Sequence, residues 1–448
     1  MKLFYSCFYL FILLFLSACS NHANINLSYE KAFINKQCDK NILALKNADK
    51  DTIYIGLNLA SLARVCKDYE KSNAFFDKAE EAYKYDVDLQ NGLQKATRNF
   101  SEILLNDTIN DYQGYFYERI MLNTYKGLNY MSLGDFKNAR VEFNRALYRQ
   151  DRMKEYFYDY IQKAQEEYQK ELQKDKKTYA SFQQNLNLIY KQYDNLLSTF
   201  NANKNYTNIY ASYLSALFFF FDKDYIKAYD LLKEVALSDV KNKQLQKQFQ
   251  VFEKFTHLKT TFPQQKYIFI IYEDGFSATK EEFNLTLPFI FNDNLANISV
   301  AFAYLKSRNA SYKFLQSQDE KTQNLIYFDD IIASEFKTLL PSMVMKTLAS
   351  SALKTSINLA IANNDSSGFL SFISTVSTAL INKADLRMWQ ALPKSASILM
   401  LKNEGIVKIY DDKEKIIFED KLEKDKNYIV LIRSFVPNSN IIYKIKEQ

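Results

Sequence analysis

All five prolines of this chain (Pro263, Pro288, Pro341, Pro393 and Pro437) lie after residue 260. A proline inside a helix removes a backbone hydrogen bond and clashes with the preceding turn. The first part of the chain carries no such interruption. Glycine, the other helix breaker, occurs only 8 times in 448 residues, far below the usual ~7%. The asymmetry predicts an α+β chain that is mostly α: a helical part over 28–260 and a smaller α+β part with short strands over 261–448.

The start of the chain carries a different signal. Lys2 is followed by an apolar stretch from Leu3 to Leu16 and then by Leu16-Ser17-Ala18-Cys19. The stretch fits the apolar region of a secretory signal and is short for a membrane span of ~20 residues. The four-residue pattern resembles the bacterial lipobox. The resemblance implies cleavage after residue 18, a diacylglycerol on Cys19 and a third acyl chain on the new amine. Several acyl chains anchor stably, whereas one gives only marginal binding. An ordinary cleaved signal or an uncleaved anchor is the alternative. Ser20, in place of the Asp that retains lipoproteins in the inner membrane of enteric bacteria, favours the outer membrane on its periplasmic side. Residues 19–27 read as a polar tether.

The 58 basic and 52 acidic residues are interleaved, which argues against a nucleic-acid partner. Of the four cysteines, Cys7 leaves with the signal and Cys19 is lipidated. Cys38 and Cys66 remain in an oxidising compartment. A disulfide is one reading, and two buried thiols on helices the other. If the helices form a hairpin turning near Ala48-Asp51, Cys38 faces Leu62 and lies about 6 Å of helix axis from Cys66. That offset strains the separation a disulfide spans and favours the thiols.

Residues 120–146 hold Gly127, Tyr130, Gly134, Phe136, Ala139, Phe143 and Ala146 at the offsets of a helical-repeat signature. They resemble a tetratricopeptide repeat (TPR). Small Gly127 and Ala139 let two helices approach, and Gly134-Asp135 makes the turn. A weaker copy spans 53–82, with Lys67 in place of the turn glycine, and a third spans 210–236, with Ala216, Asp224-Tyr225 and Ala228 in register. Phe218 to Phe221 in its first helix read as core. Tyr156, Tyr160, Ala164 and Tyr168 form an amphipathic stripe, and 170–177 a charged run that reads as a solvated helix end. Stacked helix pairs make a concave face suited to an extended peptide or partner helix. With so few repeats, the helical part is expected to lean on the second half of the chain.

Beyond Pro263 the pattern becomes that of strands over 267–304, helices over 328–382 (331–348, 353–362 and 368–382) and short strands over 397–446 that suggest a small sandwich or sheet. Two places stand out. Glu273 and Asp274 end a strand, where paired carboxylates do acid–base work or bind a metal. The plainer reading is a turn at Asp274-Gly275 with Glu273 in solvent. The second is the segment from Ala384 to Pro393, with Asp385, Arg387 and the single Trp389. It reads as an interaction anchor, or as a latch with Trp389 between helix and sheet and Arg387 paired to Glu273 or Asp274.

Three groups of residues carry a family resemblance: Tyr117-Glu118-Arg119 with Tyr125-Lys126-Gly127-Leu128-Asn129-Tyr130, Leu133-Gly134-Asp135 and Ala139 to Glu142; Tyr272 to Gly275 with Leu287-Pro288; and Ala384 to Pro393. Together they resemble an uncharacterised family of Gram-negative cell-envelope lipoproteins with TPR-like helices. The resemblance implies location and architecture, and no reaction. The expected function is therefore a lipid-anchored periplasmic scaffold or assembly factor that binds a protein partner, without cofactor, metal or catalysis. The alternative is an envelope enzyme acting on glycan or peptide through Glu273 and Asp274. Against it stand only two histidines, His22 and His257, and no nucleophile motif or phosphate loop.

Overall fold

The structure, a computed structural model, describes residues 22–38, 51–83, 112–153, 176–202, 207–257, 265–291, 294–364 and 383–448. It is a mixed helix-and-sheet protein. The helices, in chain order, are α1 (His22–Ile34), α2 (Thr52–Val65), α3 (Tyr69–Tyr83), α4 (Phe116–Ser132), α5 (136–153), α6 (Lys176–Leu196), α7 (Ile209–Phe221), α8 (Tyr225–Ser238) and α9 (Lys243–His257). Helix α10 (Phe328–Asn364) follows among the strands.

Three tight hairpins, α2–α3, α4–α5 and α7–α8, share one turn. In each, a residue in the left-handed region ends the first helix: Lys67 at φ 61°, Gly134 at 77° and Lys223 at 62°. Its N–H and that of the next residue reach back into the last turn, as Gly134 does to the Met131 carbonyl and Asp135 to that of Tyr130. The next residue is Asp68, Asp135 or Asp224. Its carboxylate accepts the N–H of Lys71, Asn138 or Lys227 and so starts the second helix. Close packing follows. A Cβ on Gly127 would come within 2.7 Å of the Phe143 ring, which the bare backbone of α4 instead accommodates.

Strands β1 (Tyr267–Asp274), β6 (Gln323–Tyr327), β7 (Ser395–Lys402), β10 (Tyr428–Ser434) and β11 (Asn440–Lys446) build a five-stranded sheet in the order β11-β10-β1-β7-β6. The β1–β10 pair is parallel and the others antiparallel. Strands β4 (Gln316–Ser317), β5 (Glu320–Lys321), β8 (Ile406–Tyr410) and β9 (Ile416–Lys421) form a smaller sheet. A long hairpin, β2 (Thr279–Phe291) and β3 (Asn294–Lys306), stands apart and packs on α6 and α10.

The five-stranded sheet is buried on both faces, which is why β1 reads as a continuous apolar run. Phe269, Ile271, Met400 and Leu431 face the helices and join one core with Leu57, Phe76, Phe143, Phe218 and Phe336. Ile268, Ile270, Leu399 and Val430 face the other way, into a second core with Val407 and Ile409. A single core thus crosses the boundary at residue 260. The small sandwich expected over 397–446 does not form by itself. Its strands divide between the two sheets, because β7 and β10 pair with β1.

Other boundaries move. Helix α1 already includes His22, so residues 22–27 are not tether. The expected helices 331–348 and 353–362 are one helix, α10, which contains Pro341. Pro288 lies inside β2, opposite Asn297, where a strand end was expected. Phe218 to Phe221 are all buried, with Phe218 stacked on Phe143 and Phe220 on Phe252. Cys19, Tyr156 to Tyr168 and residues 368–382 lie outside the described residues, as does the side chain of His257.

Cys38 and Cys66 form a disulfide, with Cα atoms 5.8 Å apart. A helix running through Cys38 would hold the two thiols apart. Instead α1 ends at Ile34 and turns at Lys36, φ 49°, so Cys38 is released from helical register and reaches the end of α2.

Candidate functional site

The inner face of the helical hairpins is lined by α2, α4 and α7, each the first helix of its pair. On α2, Tyr54, Asn58 and Ser61 are spaced by four and three residues and fall on one stripe. On α4, Glu118 and Tyr125 lie two turns apart on another. The stripes close on the segment 384–393 of the same chain.

That segment runs without regular secondary structure from residue 383 to 389, so its backbone groups need side-chain partners. The Asn58 amide donates to the Met388 carbonyl, 3.3 Å, and accepts the Gln390 N–H, 2.9 Å. This two-way bond reads the backbone as a neighbouring strand would. Glu118 accepts the Trp389 N–H at 2.9 Å. Asn26 of α1 donates to the Leu386 carbonyl at 2.8 Å, and Lys280 of β2 to that of Arg387 at 3.1 Å. Arg433 donates to the Ala391 carbonyl at 3.1 Å.

Trp389 is fully buried, with its ring edge-on to Phe76 and Tyr125, both 5.7 Å away between centroids. Its indole N–H donates to Ser61 Oγ. Arg387 does not reach Glu273 or Asp274. Its guanidinium forks onto Asp385 at 2.8 and 2.9 Å and also bonds Asp51 at the start of α2. Burial works against the Arg387 charge, but Asp385 and Asp51 outweigh it and raise its pKa above the ordinary value.

Glu273 and Asp274 are adjacent on β1 and therefore point to opposite faces of the sheet. Glu273 is buried, contrary to the solvent position expected of it. Its Oε1 accepts the hydroxyls of Tyr125 at 2.9 Å and Tyr210 at 2.7 Å, and Arg433 stands 3.9 Å from Oε2. Burial, and next the Glu273 charge, raise both tyrosines well above their ordinary pKa. Burial pulls Arg433 down. Asp274 accepts from the Tyr272 hydroxyl at 2.7 Å and the Ser311 N–H at 2.7 Å, while Gly275 turns the chain at φ 56°. The two carboxylates point away from each other. They are fastened into the two cores.

Two further carboxylates meet at the start of α4. Glu335 of α10 accepts the N–H groups of Phe116 and Tyr117, at 2.7 and 3.1 Å, where the helix leaves donors unpaired. Burial raises Glu335 to about 7, and burial also raises Glu118. A third charged cluster joins α3, α4 and α5. Lys126 lies 2.7 Å from Asp77, 2.8 Å from Glu80 and 3.1 Å from Glu142, and Arg149 lies 3.0 Å from Glu80. Burial pushes Glu80 upward, but the charges of Lys126 and Arg149 prevail and hold it at about 2.

Sequence reasoning missed Asn58, Ser61, Glu335 and Arg433, and named Glu118 within the family resemblance without giving it a role. A signal existed for the first two, since Asn58 and Ser61 are polar residues in the apolar run of α2. Among the described residues no group of His, Cys, Asp and Glu is placed to hold a metal ion. Nor, among them, is any helix long and apolar enough to cross a membrane.

The chain matches no family model, no curated protein and no solved structure.

Proposed function

We propose that this protein is a lipid-anchored scaffold or assembly factor of the cell envelope that binds a protein partner through TPR-like helical hairpins. The observation that carries the reading is the inner face of α2 and α4. It holds an extended peptide by a backbone-reading amide, Asn58, and a pocketed aromatic, Trp389. That is how stacked helical repeats grip an extended chain. The common turn of the three hairpins supports the TPR-like reading, as do the residues at its signature offsets.

The peptide in the groove is the protein's own. Partner docking in this reading therefore moves from the groove to the outer helices. There Tyr148 on α5 and Ile226 and Leu237 on α8 are 63, 70 and 68% exposed. The α5 helix and the α7–α8 turn are joined by Arg140, which bonds Asp222 and Asp224, so the two helices that carry these apolar residues are tied together. Exposed aromatic and aliphatic anchors on a rigid support are the usual core of a protein interface. Lipidation at Cys19 would hold that surface near one membrane, in this reading the periplasmic face of the outer membrane.

Photo-crosslinking in intact cells tests the proposal. A crosslinker at Tyr148 or Ile226 is expected to capture the same envelope protein, and one at exposed Ile406 is not. Absence of any reproducible product at both outer-helix positions counts against a scaffold.

A further inference from the structure

We infer that the exposed face of α1 lies against the phospholipid surface, so that the anchor fixes the orientation of the whole protein instead of merely retaining it. The inference rests on the lipidation reading of Cys19. Only three residue steps separate Cys19 from His22, the first described residue of α1. Fully extended, they span at most about 11 Å. Acyl chains buried in the bilayer therefore hold the start of α1 at the headgroups.

The helix cannot swing away from the body to relieve this, because it is fastened along its length. Asn26 donates to the Leu386 carbonyl and accepts the Tyr54 hydroxyl at 2.6 Å. Glu30 pairs with Arg308 at 3.2 Å, and Phe33 stacks on Phe435. Past the last turn, Ser439 donates to the Ile34 carbonyl, and the Cys38–Cys66 disulfide ties the exit to α2. The short link and the rigid bracket leave the body little freedom relative to the membrane.

The face that α1 turns outward suits that surface. Asn24, Leu27, Ser28, Lys31 and Asn35 are exposed and follow the helical repeat. None is acidic, and Glu30, the one carboxylate of α1, is turned inward to Arg308. Leu27 is 47% exposed and can enter the headgroup boundary, with Lys31 one turn on beside anionic lipid phosphates.

The test uses the mature acylated protein, with acylation of Cys19 checked by mass spectrometry, in phosphatidylethanolamine–phosphatidylglycerol vesicles. The environment-sensitive fluorophore NBD is placed on Leu27→Cys or, separately, on Val240→Cys between α8 and α9; the native pair Cys38–Cys66 is bonded and does not label. Relative to a soluble Cys19→Ala form, emission at position 27 is expected to rise roughly twofold and shift to the blue, with no change at 240. A Gly-Ser spacer of about ten residues after Ser20 is expected to abolish the response. An acylated protein whose position 27 stays water-like, or whose position 240 responds equally, overturns the orientation and leaves the anchor standing. A mature chain without acyl groups on Cys19 overturns the anchor, and the orientation with it.

Discussion

Trp389 donates its indole N–H to Ser61 Oγ at 2.7 Å, across 328 residues of chain. The bond joins α2 to the segment that leads into the central sheet, inside a core the two halves share. As the only tryptophan, Trp389 also reports on that interface.

Truncating it separates packing from polarity. Trp389→Phe keeps most of the ring and loses one hydrogen bond, while Ser61 keeps its bond to the Leu57 carbonyl. A loss of about 1 kcal/mol is expected. Trp389→Ala leaves a cavity between Phe76 and Tyr125 and is expected to cost about 3–5 kcal/mol. Urea unfolding followed by circular dichroism reads both. Equal losses for the two variants would contradict this placement of the ring.

Glu335 gives the protein a pH dependence. Its pKa rises from an ordinary 4.5 to about 7 in the folded state. Between those values the unfolded chain releases the proton and the folded protein keeps it. The stability tied to this group is full below 4.5 and is lost as pH rises through about 7. The shift corresponds to about 3 kcal/mol. Glu335→Gln is expected to flatten the fall in stability between pH 5 and pH 8 by an amount of that order. Parallel pH profiles for the two proteins would remove Glu335 as the cause.

Lys126 is surrounded by Asp77, Glu80 and Glu142 with its own charge almost wholly buried. Lys126→Met leaves buried carboxylates without their central cation. A loss of about 3–5 kcal/mol is expected. Adding Glu80→Leu is expected to recover part of it, because one of the buried carboxylates, left with only the more exposed Arg149 and Arg145 beside it, is then gone as well. A double variant less stable than Lys126→Met shows that packing around Lys126, not its charge, sets the cost.

Lys67 and Lys223 hold positive φ in turns where Gly134 serves the third hairpin. Both side chains are exposed, so little packing is lost on removal. Lys67→Gly and Lys223→Gly are each expected to raise stability by about 1 kcal/mol, since the left-handed conformation costs a side chain that much. Gly134→Ala is expected to lower it similarly. Thermal melts of the three variants decide the sign.

The local features were legible in the chain. Gly134-Asp135 and Asp224 mark hairpin turns because a left-handed residue followed by an N-capping carboxylate acts over a few residues only. The run from Tyr267 to Tyr272 marks a buried strand because both of its faces are covered. What the sequence by itself determined was thus where helix gives way to strand and where most of the helical hairpins turn, but neither strands β4 to β6 nor the unbroken α10. The tertiary structure alone decided which elements meet. Arg387 finds Asp51 from 336 positions away and leaves Glu273 to the tyrosines of α4 and α7. Cys38 escapes helical register and bonds Cys66. The face of α2 and α4, expected to be open to a partner, is covered by residues 384–393. The physical reason is the same in each case. Helix and strand signals come from neighbouring residues, whereas the partner of a buried charge or aromatic is set by packing, which no local pattern encodes.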